Sequence, residues 1–123
     1  MNITKTLIAG AVLVSGLGLI AAPSASADTG PYGKDTCKQG FVWREAMSND
    51  HVCVSPEQRS QAALDNSLSA EREEPNGGAW GPHTCRQGFV WRVVVANDLV
   101  CVTPATRARV AADNAVAAQR VQG

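Results

Sequence analysis

The polar and apolar positions along the chain divide it sharply in two. Leu7 to Ala22 is an apolar run rich in Gly, Ala, Leu and Val behind a single cation, Lys5, and Pro23-Ser24-Ala25-Ser26-Ala27 closes it with small residues in Ala-x-Ala spacing. That order of cation, apolar run and small-residue site predicts a secretory signal peptide over residues 1–27, cleaved between Ala27 and Asp28, in preference to a membrane anchor. The first cysteine is Cys37, too far on for lipid attachment at a new N-terminal cysteine. From residue 28 onward the pattern is fine-grained, and it occurs twice.

Phe41-Val42-Trp43-Arg44 alternates in a β-prone stretch, and Ser48-Asn49-Asp50 is a turn signal. Val52-Cys53-Val54 reads as a short return strand, so the pair predicts a hairpin. Ser55-Pro56 then places a capping hydroxyl before a proline suited to the first helical position. The Ala-rich stretch 56–72 follows as a helix. Shifting the sequence by 48 repeats all of this. Gln87-Gly88-Phe89-Val90-Trp91-Arg92 falls on residues 39–44, Asn97-Asp98 on 49–50, Val100-Cys101-Val102 on 52–54, and Asp113-Asn114 on Asp65-Asn66. Without a gap, 22 of the 43 positions from 30 to 72 are identical. The expected organisation is a first repeat at 28–72, a polar Pro/Gly linker at 73–77, and a second repeat at 78–123. The fold class expected is α+β, two small disulfide-stapled hairpin-plus-helix repeats behind a signal peptide. Arg59, Ala63, Asn66 and Ala70, with Arg107, Ala111, Asn114 and Ala118, fall on one helix face, where the alanines would admit a neighbouring backbone.

Units of about 45 residues bury too little apolar surface to stand without help. The four cysteines supply it. An exported chain meets an oxidising compartment, and two cysteines separated by fifteen residues lack the close spacing of a zinc site. Of the three possible pairings, Cys37–Cys53 with Cys85–Cys101 gives each copy its own staple. Each such loop of about 17 residues stabilises by about 3 kcal/mol in the chain-entropy picture. No metal and no cofactor is expected.

Charge changes the picture in one respect. The whole chain is formally neutral, which gives no reason to expect nucleic acid as a partner. The copies nonetheless differ in sign. Residues 28–75 carry five Lys/Arg against nine Asp/Glu, and residues 76–123 carry five against two. Self-association of an acidic first copy with a basic second copy is one consequence to test.

The candidate chemistry is sparse. His51 and His83 fall opposite Leu99 and Asp35 in the repeat, so neither histidine is a repeated feature. Ser55 and Thr103 are explained as helix caps. Trp43 and Trp91 are read first as core next to the disulfides and second as contact surfaces. Tyr32 and Trp80 lie between glycines on loops, where exposure is expected. The repeated polar residues Arg44 and Arg92, Asp65 and Asp113, and Asn66 and Asn114 read first as partners that fix helix to hairpin, and second as a recognition face. Paired carboxylates also allow an envelope hydrolase to be drawn from Asp50, Asp98, Asp65 and Asp113. Turn geometry explains Asp50 and Asp98 more simply.

The motif Cys-x-x-Gly-Phe-Val-Trp-Arg, then Asn-Asp-x-Val-Cys-Val-x-Pro, then Arg and Asp-Asn, resembles a short module of secreted actinobacterial proteins. Cys37 to Asn66 and Cys85 to Asn114 carry it, with Val93-Val94 and Leu99 as departures in the second copy. The resemblance implies an exported cysteine-containing repeat and brings no activity with it. The functional expectation is a secreted, extracellular, non-catalytic binding protein at or outside the cell envelope, with no membrane contact after signal cleavage. A cell-wall glycan or a surface protein is the expected partner. An envelope hydrolase and a self-associating surface protein are the alternatives.

Overall fold

The computed structural model describes residues 30–122, so the signal-peptide expectation lies outside the described residues. The protein is a small α+β chain with two antiparallel two-stranded sheets, two α-helices and two disulfides. It divides into two compact units. One contains Gly30–Thr36 and Gln122, and the other runs from Cys37 to Val121. In the first, a 3-10 turn at Gly33–Asp35 is closed by Thr36, whose Oγ donates to the Gly33 carbonyl at 2.8 Å and accepts from the Tyr32 N–H at 2.9 Å.

The unit from Cys37 to Val121 holds both hairpins and both helices. β1 (Val42–Trp43) pairs with β2 (Cys53–Val54), Val42 opposite Val54 and Trp43 opposite Cys53. β3 (Val90–Trp91) and β4 (Cys101–Val102) repeat that register with Val90 opposite Val102 and Trp91 opposite Cys101. Each hairpin runs directly into a helix, α1 (Pro56–Leu68) and α2 (Pro104–Ala115). The hydroxyls of Ser55 and Thr103 accept from the Gln58 and Thr106 N–H groups, and proline stands in the first turn of each helix. The helical stretch predicted to reach 72 and 120 tightens before its end into 3-10 turns, Ser69–Arg72 and Ala117–Arg120. The disulfides are Cys37–Cys53 and Cys85–Cys101, one staple per copy as the sequence suggested.

Two-stranded hairpins are not stable alone. Here the two copies complete each other head to tail. The Arg86 N–H donates to the Arg72 carbonyl at 2.7 Å, and the Lys38 N–H donates to the Arg120 carbonyl at 2.8 Å. Glu73 bridges Cys85, and Val121 bridges Cys37. In the segment read as a linker, the Glu74 N–H donates to the Thr84 carbonyl at 2.8 Å. Each helix end thus runs beside the first cysteine of the other copy. The apolar centre is correspondingly small and shared: Ala46 and Ala62 from the first copy, Val94 and Val110 from the second.

The helix face that packs inward differs from the one expected. Ala62 and Asp65 are buried on α1, and Val110 and Asp113 on α2. Ala63, Ala70, Ala111 and Ala118 are exposed. The reason is the buried aspartate. Its arginine partner at the end of the same helical stretch also binds a hairpin carbonyl of the other copy, Cys101 or Cys53, and so holds the face carrying residues 58, 61, 62 and 65 toward that copy.

Candidate functional site

The repeated polar residues form a network across the centre of the Cys37–Val121 unit. Arg44 and Asp50 lie within one hairpin and are both buried. The guanidinium donates from Nε to Asp50 Oδ2 at 2.7 Å and from Nη2 to Oδ1 at 3.1 Å. Arg92 and Asp98 repeat the fork at 2.8 and 3.2 Å. The Ala46 N–H also donates to Asp50 Oδ2, and the Val94 N–H to Asp98 Oδ2, each at 3.0 Å. Each arginine spends its remaining nitrogen on the other copy: Arg44 Nη1 donates to Asn114 Oδ1, and Arg92 Nη1 to Asn66 Oδ1, both at 2.9 Å. The asparagine amides turn back to the hairpin carbonyls, Asn66 to Ala46 at 2.9 Å and Asn114 to Val94 at 3.2 Å. These bonds satisfy groups that would otherwise be costly to bury.

Burial alone would raise the Asp50 pKa. The hydrogen bond from Arg44, the N–H of Ala46, the charge of Arg44 and the N–H of Val52 outweigh it and hold the carboxyl below its ordinary 3.8.

The helix aspartates are bound from the other end. Arg72 Nη1 donates to Asp65 Oδ1 at 2.9 Å and to the Cys101 carbonyl at 3.1 Å, and its guanidinium lies 5.0 Å from the Phe89 ring centre. Arg120 does the same to Asp113, to the Cys53 carbonyl and to the Phe41 ring. Asp65 Oδ1 accepts in addition from Gln61 at 3.0 Å, while its Oδ2 is buried without a hydrogen-bond partner. A cavity of about 10 Å³ lies among Arg44, Arg92, Asp65 and Asp113, room for no more than a single water. The structure therefore places Arg44, Arg92, Asp65, Asp113, Asn66 and Asn114 together, as the joint between the copies. The sequence reading of asparagine on hairpin backbone matches this geometry. The Arg–Asp pairs, however, close within a hairpin or within a helical stretch, not between the two.

The aromatic residues lie elsewhere. Trp43 is half-buried and stacks on His51, ring centres 3.9 Å apart. Tyr32 is exposed in the other unit. Trp80, Phe89 and Trp91 line one groove of about 340 Å³ together with Thr84, Cys85 and Arg107. That volume lies at the lower end of the range of about 300–1,000 Å³ seen for ligand sites.

Backbone chemistry explains why Trp80 stands where it does. Gly78 and Gly81 exchange hydrogen bonds at 3.1 Å in both directions, leaving Ala79 and Trp80 at the tip. Gly81 has φ +96, and a Cβ on Gly78 would meet the Thr84 side chain at 2.9 Å, so both positions require glycine. The Thr84 hydroxyl locks the turn by accepting from the Trp80 N–H at 2.9 Å and donating to the Gly81 carbonyl at 2.8 Å. Trp80 is left 74% exposed. Trp91 is fixed differently, its Nε1 donating to the His83 carbonyl at 2.9 Å. The groove thus offers flat apolar faces, with the Trp80 backbone and the Trp91 indole held in place.

Thr84, Phe89, Val90 and Arg107 line the groove without being candidates in the sequence, and Arg107 is the charged one among them. The signal was present in the repeat. Its counterpart Arg59 pairs with Glu45 at 3.3 Å, and the residue opposite Glu45 is Val93.

Among the described residues no three His, Cys, Asp or Glu side chains gather as a metal site would need, and no helix is long and apolar enough to cross a membrane. No family model, curated protein or solved structure matches the chain.

Proposed function

We propose that this protein is a small secreted, non-catalytic binding protein that acts at or outside the cell envelope, and that the groove of its second copy is the surface that meets a glycan. Two disulfides suit an oxidising, extracellular setting. The observation that carries the reading is Trp80, exposed at the tip of a glycine-locked turn above a groove walled by Phe89 and Trp91. Exposed aromatic faces bury apolar area on contact, which suits the flat faces of sugar rings.

The repeated aspartates support the non-catalytic part. Asp50, Asp98, Asp65 and Asp113 each accept a hydrogen bond from an arginine within the joint between the copies. All four are buried, so none of these carboxyls faces a substrate at the surface. Duplication then serves mainly to build a stable body, with one copy diverged for contact.

The test is sedimentation of the purified protein with isolated wall material, beside an unrelated secreted control. Enrichment that Trp80→Ala lowers, with the thermal midpoint unchanged, is the expected result. Co-sedimentation no greater than the control overturns the reading.

A further inference from the structure

We infer that Arg107 is an anion anchor at the rim of the Trp80–Trp91 groove, and that the ligand it selects is a sugar bearing a carboxylate. The inference rests on the glycan reading above and names the substrate class within it.

The two copies provide an internal comparison. In the first, the Arg59 guanidinium holds the Glu45 carboxylate at 3.3 Å, both side chains about half exposed. In the second, the same arginine remains and the carboxylate is gone, because Val93 occupies the position of Glu45. Among the described residues the Arg107 guanidinium has neither an ion-pair nor a hydrogen-bond partner, and it lines the groove beside Trp80, Phe89 and Trp91. The protein therefore displays, in its own first copy, the chemical group that fits this arginine. A planar guanidinium fork matches a carboxylate in two parallel hydrogen bonds.

Valine at this position is conformationally costly, which argues that its place there is not indifferent. Val93 has φ +59, close to the +52 of Glu45. A β-branched residue is a true outlier there, whereas an unbranched one is tolerated more readily. The surrounding charge agrees with an anionic ligand. Residues 76–123 carry five Lys/Arg and two Asp/Glu, and both acids, Asp98 and Asp113, are bound to arginines. The groove thus combines flat apolar faces with one uncompensated cation at its edge, the pair of features a carboxylated sugar presents in reverse.

The experiment uses the whole secreted protein and wall material from the producing cell in three forms: native, with carboxylates capped as methylamides, and with phosphates stripped by acid. Wild type is compared with Arg107→Gln, Arg107→Lys, Val93→Glu and Trp80→Ala. The expected result is a loss of about tenfold or more in affinity for native wall on Arg107→Gln, the usual scale for a charge-assisted hydrogen bond. Arg107→Lys should recover part of it. Val93→Glu should lower affinity comparably by supplying the protein's own carboxylate, with no fall in thermal midpoint. Capping the wall carboxylates should abolish the difference between wild type and Arg107→Gln, and stripping phosphates should leave it. Trp80→Ala should weaken binding to native and capped wall alike. Binding that survives capping and is indifferent to Arg107→Gln overturns the inference and leaves the glycan reading standing. Loss on phosphate removal but not on capping overturns the carboxylate assignment. Absence of wall binding in every form overturns both.

Discussion

Removing the Arg72 side chain tests how the copies are joined. Arg72→Ala deletes the donor to Asp65 Oδ1 and to the Cys101 carbonyl, and strips the cation from the Phe89 ring. Asp65 has a side chain only 2% exposed and would retain Gln61 alone as a partner. Breaking a buried pair from one side costs about 3–5 kcal/mol, because the other charge stays buried. Arg72 is itself partly exposed, which places the expected loss near the lower end, about 3 kcal/mol. For a domain of this size each kcal/mol moves the thermal midpoint by about 4–8 °C. The assay is urea and thermal unfolding with the disulfides intact, where small proteins unfold in one step. Arg59→Ala is the control, since an exposed pair such as Arg59–Glu45 contributes about 0–1 kcal/mol. The double variant Arg72→Met with Asp65→Leu should recover most of the loss, as an apolar replacement of both partners leaves no buried charge. A loss below about 1 kcal/mol for Arg72→Ala, or one equal to Arg59→Ala, would refute the claim that this arginine fastens helix to hairpin.

Three further outcomes are expected. Because the Asp50 carboxyl titrates below 3.8, its contribution to stability is fully present above that value and is lost as pH falls through the lower folded-state value; urea midpoints taken from about pH 5 down to about pH 2 should therefore decline, and Asp50→Asn should flatten the decline. Val93→Asn should raise the thermal midpoint by relieving about 1 kcal/mol of strain at φ +59, and an unchanged or lowered midpoint would count against strain there. Replacing Cys85 and Cys101 together by alanine should cost about 2–5 kcal/mol and loosen both copies, read as loss of amide-exchange protection in β1–β2 as well as β3–β4.

Sequence pattern carried the hairpin, the helix cap and the disulfide pairing, because each of these is local. Trp43 and Cys53 are ten residues apart, and Ser55-Pro56 announces α1 by itself. The joint between the copies was legible only as a puzzle. Arg72 and Arg120 each bind the aspartate seven residues back, which is local, and a carbonyl 29 or 67 residues away, which spacing along the chain does not show. The inward helix face was misread because alanine spacing marks close approach only when no polar side chain outranks it. A buried Asp with an arginine to satisfy does outrank it. The tryptophans divided for a similar reason. Trp43 gains His51 as a stacking partner, and the second copy has Leu99 at the corresponding position. The groove itself is lined by shared positions apart from Trp80, which stands where the first copy has Tyr32.

The most direct measurement of the site follows the three indole N–H signals of the isotope-labelled protein, one each from Trp43, Trp80 and Trp91, during titration with solubilised native wall polysaccharide. The Trp80 and Trp91 signals should move together and saturate while Trp43, stacked on His51, stays in place. Movement of Trp43 alone, or three stationary signals under conditions where the protein co-sediments with wall, would contradict the assignment of the groove.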